Sequence, residues 1–177
     1  MARLGLGRGR AGVHTCAGAG SERRHHARVL RHHAGGRVEE AAAEAEKATA
    51  LDPLSALVLF LAAAIYHGIR QQGRSIENST NALALDPGCT LATWMLSVAL
   101  SEAGRHDEAI DAGERGVQMT DRNGFFVAIL GHALGRAGRR DAARLALAEL
   151  LERSRPEDIP PIWLATIHAG LGEVADV

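Results

Sequence analysis

Aromatic side chains are scarce in this sequence of 177 residues, where phenylalanine, tryptophan and tyrosine together make up 3%. Alanine is abundant, and hydrophobic residues as a whole reach 46%. Small side chains let helix axes approach closely, and alanine has the highest helix propensity of all residues. The composition therefore favours closely packed helices over a β-sandwich, in a chain long enough for one domain with its own core.

Paired cysteines, long apolar runs and a secretory signal are also lacking. Cys16 and Cys89 do not belong to a CxxC pair, so a zinc ribbon is not expected. The longest apolar run, Ala56–Tyr66, is well short of the roughly 20 residues that span a bilayer. The arginines near the N-terminus are not followed by the continuous apolar segment of a secretory signal. We therefore expect a cytoplasmic protein that has no membrane partner.

Residues 1–36 differ in composition from the rest of the chain. Residues 1–38 hold eight arginines and one acidic residue, Glu22, whereas residues 39–177 hold 12 basic and 20 acidic residues. The basic segment is rich in glycine, arginine and histidine and has no apolar helical period. Three interpretations stay open: a disordered tail, the product of a shifted reading frame in GC-rich DNA, or a basic arm that binds the phosphates of a nucleic acid.

A period of 34 residues runs through the remaining sequence. The tetrapeptide "ALDP" occurs twice at this spacing and places Pro53 and Pro87 one period apart. Glycine recurs at the same spacing of 34 residues, at Gly36, Gly104, Gly138 and Gly172. Arg70 occupies the one position of this series that has no glycine. A repeated supersecondary unit is therefore predicted.

Each period contains two stretches with helical apolar spacing, separated by a short break. The first helices are "LSALVLFLAAAIYHG", "TLATWMLSVALSEAG" and "GFFVAILGHALGRAG", and the second helices are "RSIENSTNALAL", "DEAIDAGERGVQM" and "DAARLALAELLER". The first helices are predicted to stop near glycine, and acidic residues are predicted in the first turns of the second helices. Pro53 and Pro87 are expected to start new helices, where a missing N–H costs little.

A helix–turn–helix period of this length resembles the tetratricopeptide repeat. The resemblance rests on small residues at the eighth, twentieth and twenty-seventh positions of a unit, a large residue at the eleventh and a closing proline. These residues are Ala63, Ser97, Gly131 and Ala165, then Ala41, Ser75, Ala109 and Ala143, then Ala48, Ala82 and Gly116, then Tyr66, Leu100 and Leu134, and finally Pro53 and Pro87. Asp121 and Arg155 depart from the pattern by replacing the proline, and Leu150 departs from it by replacing a small residue.

The resemblance implies an all-α fold, a right-handed superhelical solenoid of antiparallel helix pairs over residues 37–177. Neighbouring pairs share one continuous core in such an array, because a single helical hairpin cannot bury its apolar stripe alone. The implied units are a partial unit at 37–53, units at 54–87, 88–121 and 122–155, and a partial capping unit at 156–177.

The segment "GRHDEAIDAGE", Gly104–Glu114, concentrates one histidine and four carboxylates. The corresponding segments of the other units do not share these residues, so we interpret the cluster as the polar side of a helix. His132 and His168 lie on consecutive first helices but have no third ligand for a metal. HExxH, GxxxxGK[ST] and GxSxG motifs are absent from the sequence. We therefore expect neither an enzyme nor a cofactor or metal site.

The resemblance also implies a binding surface, because first helices line the concave face of these arrays. The second, fifth, ninth and thirteenth positions point into that groove and here are mostly apolar. The predicted groove residues are Leu57, Phe60, Ala64, Leu91, Trp94, Val98, Glu102, Phe125, His132, Arg136, Ile159 and Ile162. Lysine and asparagine are absent from these positions, so recognition of an acidic C-terminal tail is not expected.

The predicted function is protein–protein interaction by a scaffold or adaptor that binds a peptide or helix in this apolar groove. The segments "LDPLS", "AGRHDEAI" and "PPIWLATIHAGLGE" resemble C-terminal repeat regions of bacterial signalling and transcriptional regulator proteins, which would make this chain a fragment of a larger protein. Self-packing of the apolar residues within the superhelix is the structural alternative. The functional alternatives are a nucleic-acid-associated regulator that uses the basic arm and the non-catalytic regulatory end of an enzyme.

Overall fold

The computed structural model describes residues 37–154 and 158–173, which form eight α-helices and no strand. The basic segment 1–36 and its three interpretations lie outside the described residues. The helices are α1 Val38–Leu51, α2 Ala56–Gly68, α3 Gln72–Leu85, α4 Thr90–Glu102, α5 His106–Met119, α6 Gly124–Arg136, α7 Arg140–Arg153 and α8 Pro161–Leu171. The fold is an all-α tetratricopeptide-repeat solenoid, in which α2, α4, α6 and α8 are first helices and α1, α3, α5 and α7 are second helices.

The first helices begin later than the prolines suggest. Pro53 and Pro87 lie in the turns before α2 and α4, which start at Ala56 and Thr90, so the prediction that the prolines start these helices is wrong. The side chain of Asp86 accepts a hydrogen bond from the Gly88 N–H at 2.9 Å and stabilises the turn. The helix can begin only after this turn is complete.

Each first helix ends in the same backbone geometry. One residue takes a left-handed conformation, and the N–H of the following residue bonds to a carbonyl five residues earlier in the chain. This closing bond is 2.8 Å at Gln71, and 2.9 Å at Arg105, Arg139 and Glu173. The left-handed residues are Gly104, Gly138 and Gly172, with φ of 76°, 75° and 70°, and Arg70, with φ of 60°.

Small side chains set the spacing of the helices in the core. Ala63, Ala109 and Ala143 are fully buried, as the repeat pattern predicts. Ser97, also buried, donates a hydrogen bond from its Oγ to the carbonyl oxygen of Ala109 at 2.8 Å, which joins α4 to α5. Within the part of the chain that the structure describes, no helix combines the length and the apolar character needed to cross a membrane.

The backbone of the last helix, α8, lies directly against the backbone of α6. A Cβ atom on Gly170 would lie 2.5 Å from the carbonyl oxygen of His132, and one on Gly135 would lie 2.5 Å from the carbonyl carbon of Gly170. Real Cβ atoms do not come this close to backbone, so the two glycines permit this approach. The same contact brings the C-terminal ends of α6 and α8 side by side.

Candidate interaction surface

Four aromatic rings form a continuous row across the first helices. Phe60 of α2 contacts Trp94 of α4 with ring centroids 6.3 Å apart, and Trp94 contacts Phe125 of α6 at 5.5 Å. Phe125 in turn contacts Trp163 of α8 at 6.2 Å in an edge-on arrangement. Tilted and edge-on pairs at these distances are favourable, so the row links all four first helices. We call these four residues the aromatic row.

Most of the predicted groove residues reach the surface. Ten of the twelve are partly or fully exposed, whereas Phe60 and Ile159 are buried with 8% and 9% exposure. The partly exposed residues are Leu57, Ala64, Leu91, Trp94, Val98, Phe125 and His132, and the exposed ones are Glu102, Arg136 and Ile162. The structure brings Phe60, Trp94 and Phe125 together in the aromatic row, and Glu102, His132 and Arg136 together around one cavity.

The end of the row at α8 differs from the sequence-based assignment. Ile159 precedes the helix, and Ile162 is 67% exposed, while the adjacent Trp163 makes the ring contact with Phe125. Gly124 creates the space for this tryptophan, since a Cβ there would lie 2.8 Å from the ring. The repeat positions alone did not predict this contact. The signal in the sequence is a glycine at the start of one first helix, Gly124, together with a tryptophan on the next first helix, Trp163.

A cavity of about 480 Å³ opens where the first helices end. Three predicted groove residues line it: Glu102, His132 and Arg136. Arg70 and Gln72 line it too, although they were not predicted as groove residues, because they lie beyond the end of the first helix α2. We call this space the arginine cavity; its sixth lining residue is Ala169.

The polar groups of the arginine cavity include a hydrogen-bonded carboxylate, Glu102, and a partly buried histidine, His132. The Gln72 amide donates to a carboxylate oxygen of Glu102, and the Nδ1 atom of His67 lies 3.7 Å from the same oxygen. Burial lowers the pKa of His132, the charge of Arg136 lowers it further, and the carboxylate of Glu102 opposes the shift. His132 is therefore an uncharged hydrogen-bonding group at neutral pH.

The carboxylates of the "GRHDEAIDAGE" segment do not converge on one point. Asp107 pairs with Arg139 at 2.6 Å, and Glu108 pairs with Arg105 at 2.6 Å. The Nδ1 atom of His106 is buried and makes no hydrogen bond with the residues that the structure describes. Among residues 37–154 and 158–173, no three His, Cys, Asp or Glu side chains are placed to hold a metal ion.

Two further cavities lie against the second helices and are related by the repeat. One, of about 490 Å³, is lined in part by Tyr66 and Arg74, and the other, of about 270 Å³, is lined by their counterparts Leu100 and Glu108. The same hollow recurs with chemically different side chains. It is therefore a consequence of stacking successive helix pairs, and its position alone does not indicate a binding site.

Comparisons with known proteins agree with this architecture. The sequence pattern of the tetratricopeptide repeat matches residues 73–123, which include most of α3, all of α5 and the helix between them. No curated protein sequence matches the chain significantly.

Solved structures with this fold are similar over most of their length. TTC0263, a thermophilic TPR protein of Thermus thermophilus, is 22% identical with a TM-score of 0.67, and the match covers 86% of this chain and 84% of that one. MamA is 22% identical with a TM-score of 0.62, covering 76% of each chain. YrrB, a TPR protein with an unusual peptide-binding site, is 17% identical with a TM-score of 0.60, covering 85% of this chain and 78% of its own. The repeat geometry and these shared folds show that the chain has the tetratricopeptide-repeat fold, and residues 73–123 carry the sequence pattern of that repeat.

Proposed function

We propose that this chain is a protein–protein interaction module that binds an apolar peptide or amphipathic helix along its first helices. The observation that carries the proposal is the aromatic row, a line of touching rings that extends from α2 to α8. Trp94, Phe125 and Trp163 remain partly exposed, and so do the neighbouring Leu91 and Val98. Partly exposed apolar residues on rigid helices form a surface suited to an amphipathic helix.

The same row also stabilises the fold. Trp94 touches both Phe60 and Phe125, and Phe60 is buried, so truncation of Trp94 would remove core contacts together with binding contacts. Leu91 and Val98 are better positions for testing binding, because each is partly exposed and neither takes part in the ring contacts of the aromatic row. The related fold of YrrB, with its peptide-binding site, supports the proposal by analogy.

We further propose that the module acts without catalysis in the cytoplasm, as the partner-binding end of a larger bacterial signalling protein. The support is the resemblance of its joint and closing segments to repeat regions of such proteins. The genomic DNA upstream of Met1, translated in all three frames, tests this origin. An effector domain encoded upstream in one of these reading frames would support the origin from a larger signalling protein. A stop codon directly upstream in every frame would contradict it.

Intrinsic fluorescence provides a direct test of binding, because both tryptophans of the chain lie in the aromatic row. The probe is a panel of acetylated, amidated helical peptides with leucines at i, i+3, i+4 and i+7 and no charged side chain. We expect saturable changes in tryptophan emission on titration. Leu91→Gln and Val98→Gln should each weaken binding about tenfold, since each removes apolar contact at the centre of the surface.

The matched control is Leu145→Gln on the second helix α7, where the leucine is 72% exposed. This variant should bind the peptides as the wild type does, and all three variants should melt at similar temperatures. Equal losses at Leu145, Leu91 and Val98 would show non-specific adsorption. Absence of any saturable emission change across the panel would refute the proposed groove.

A further inference from the structure

Most arginines in the described part of the chain are paired with another group. Of the eleven arginines that the structure describes, nine donate to a carboxylate or a backbone carbonyl of the described residues. Their partners include Glu46 for Arg74, Glu149 for Arg122 and Asp107 for Arg139. The other paired arginines are Arg37, Arg105, Arg115, Arg140, Arg144 and Arg153.

The two exceptions, Arg70 and Arg136, line the same cavity. Neither guanidinium has a hydrogen bond or an ion pair within the described part of the chain. Arg70 follows α2 and Arg136 ends α6, so the two come from different units of the repeat. The fold thus places on one cavity two cations that the described residues leave without a partner.

Arg70 occupies this place at a cost to the backbone. Its φ of 60° is the left-handed conformation that glycine adopts at the equivalent ends of α4, α6 and α8. A side chain disfavours this conformation, and glycine is the residue that normally relieves it. Arg122, after α5, also has a positive φ of 56°, but its guanidinium is paired with Glu149. Arg70 differs in that its guanidinium lines the cavity and has no such partner among the described residues.

The charges around the arginine cavity select the class of anion. Arg70 and Arg136 contribute two positive charges, Glu102 contributes one negative charge, and His132 is uncharged at neutral pH. One positive charge therefore remains to be balanced. A carboxylate supplies one negative charge, whereas a phosphate dianion would leave an excess charge close to Glu102.

The distance from the aromatic row identifies where such a carboxylate would come from. Trp94 and Glu102 lie on the same helix, eight residues apart, which corresponds to about 12 Å along its axis. An α-helix with its side chains is about 10–12 Å across. A helix lying across the first helices would therefore cover the aromatic row with one flank and reach the arginine cavity with the other.

We propose that the arginine cavity binds a glutamate or aspartate side chain of the amphipathic helix that occupies the aromatic row. This inference rests on the proposed function and adds its specificity: the partner helix is apolar on one flank and carries an acidic residue on the other. The paired guanidinium groups bind the carboxylate, and His132 and Gln72 complete the polar wall. A carboxylate inside a helix is distinct from a free C-terminal tail, whose recognition is not expected from the sequence.

The test repeats the fluorescence titration with leucine-striped peptides that carry one glutamate, moved in turn along the flank opposite the leucines. With glutamate at the best position, we expect the peptide to bind about tenfold more tightly than the same peptide with glutamine there. Glutamine cannot form the charge-assisted hydrogen bonds that a carboxylate forms with arginine. In Arg136→Gln and Arg70→Gly proteins the two peptides should bind equally. Arg70→Gly should also melt no lower than the wild type, so its loss of selectivity cannot arise from unfolding.

A phosphoserine peptide and a glutamine peptide with a free C-terminus distinguish the other anion sources. The inference is overturned if glutamate and glutamine peptides bind the wild type equally, or if either alternative anion binds more tightly than glutamate. A second readout uses acetate alone and follows the guanidinium N–H signals by NMR at constant ionic strength. Saturable shifts are expected at Arg70 and Arg136 and not at Arg139, which is already paired with Asp107.

The acetate readout separates the two proposals. If no peptide binds but acetate shifts Arg70 and Arg136 saturably, the groove proposal fails and the carboxylate site is supported. If neutral peptides bind but glutamate and acetate have no effect, the groove is supported and the carboxylate site fails. If neither peptides nor acetate bind, both proposals fail.

Discussion

Arg70 is the single residue at which stability and the proposed binding of a carboxylate oppose each other. It stands in the left-handed position that glycine occupies at residues 104, 138 and 172. We expect Arg70→Gly to raise the free energy of unfolding by about 1 kcal/mol, because the strain of a side chain at positive φ is removed. Urea unfolding followed by circular dichroism measures this change.

The reverse substitution is the control for Arg70. Gly138→Arg places a side chain in the equivalent turn, where a Cβ would meet no atom within 4 Å, so only the backbone strain changes. It should lower stability by a similar amount. If both substitutions lower stability, Arg70 contributes a contact that outweighs its backbone strain.

His132 makes stability depend on pH. Burial and the charge of Arg136 lower the pKa of His132 in the folded chain, against the opposing effect of Glu102. In the unfolded chain the His132 imidazole has its ordinary pKa of about 6.5, so it is protonated at a higher pH than in the native state. The free energy of unfolding therefore decreases as the pH drops from neutral. We expect the loss between pH 7.5 and 5.5 to be smaller in His132→Gln, measured by urea unfolding at each pH. An unchanged pH dependence in this variant would assign the effect to other groups.

At the scale of the element, α8 depends on glycine at its contact with α6. Gly170→Ala improves intrinsic helix propensity, but its Cβ would lie 2.5 Å from the His132 carbonyl oxygen and 2.6 Å from the His132 Cα. Backbone atoms cannot give way as the end of a flexible side chain can, so α8 must shift. We expect a lower melting temperature and a change in tryptophan emission, since Trp163 moves relative to Phe125.

Gly73→Ala is the matched substitution for Gly170→Ala. Gly73 lies in α3, and a Cβ there would meet no atom within 4 Å. Alanine should stabilise this helix by about 0.5–1 kcal/mol. A lower melting temperature in Gly73→Ala would show that backbone contact is not what distinguishes the two sites.

The contact of α4 with α5 depends on a small residue at position 109. Ala109 is fully buried, and its carbonyl oxygen accepts the Ser97 hydroxyl bond between the two helices. Ala109→Leu should lower the free energy of unfolding by about 1–3 kcal/mol, because the larger side chain forces the helices apart. Ala43→Leu on the exposed side of α1 should change it little. A leucine variant at position 109 with wild-type stability would contradict the assigned repeat register.

At the scale of the whole molecule, stability should vary along the array. Among the described helices, α1 packs its backbone on α2 alone and is joined to α3 by the exposed ion pair of Glu46 with Arg74. The buried residues of α1 are three alanines, Ala41, Ala45 and Ala48. In contrast, α6 packs against α4, α5, α7 and α8. Because neighbour contacts dominate the stability of repeat proteins, we expect amide hydrogen exchange to be faster in α1 than in α6. Equal protection of the two helices would indicate that the array opens as a single unit.

Much of the fold follows from the sequence alone. The period of 34 residues, the recurring glycines and the buried small residues specify paired helices and their stacking, because each is a local or repeated signal. Ser97, Ala109 and Ala143 therefore lie in the core as predicted. Ten of the twelve residues predicted to line the groove retain surface exposure, since a constant register keeps one face of each first helix aligned with the next. Their role in a groove stays a prediction.

Tertiary structure alone decided the features that depend on departures from the repeat. Counting positions could not place Trp163 in the aromatic row, because its location depends on the late start of α8 and on the space left by Gly124. Nor could the repeat positions predict that Arg70 and Arg136, which occupy different positions in different units, line one cavity. A periodic sequence determines what every unit shares, whereas the proposed site combines unlike residues of separate units, which only the folded chain brings to one cavity.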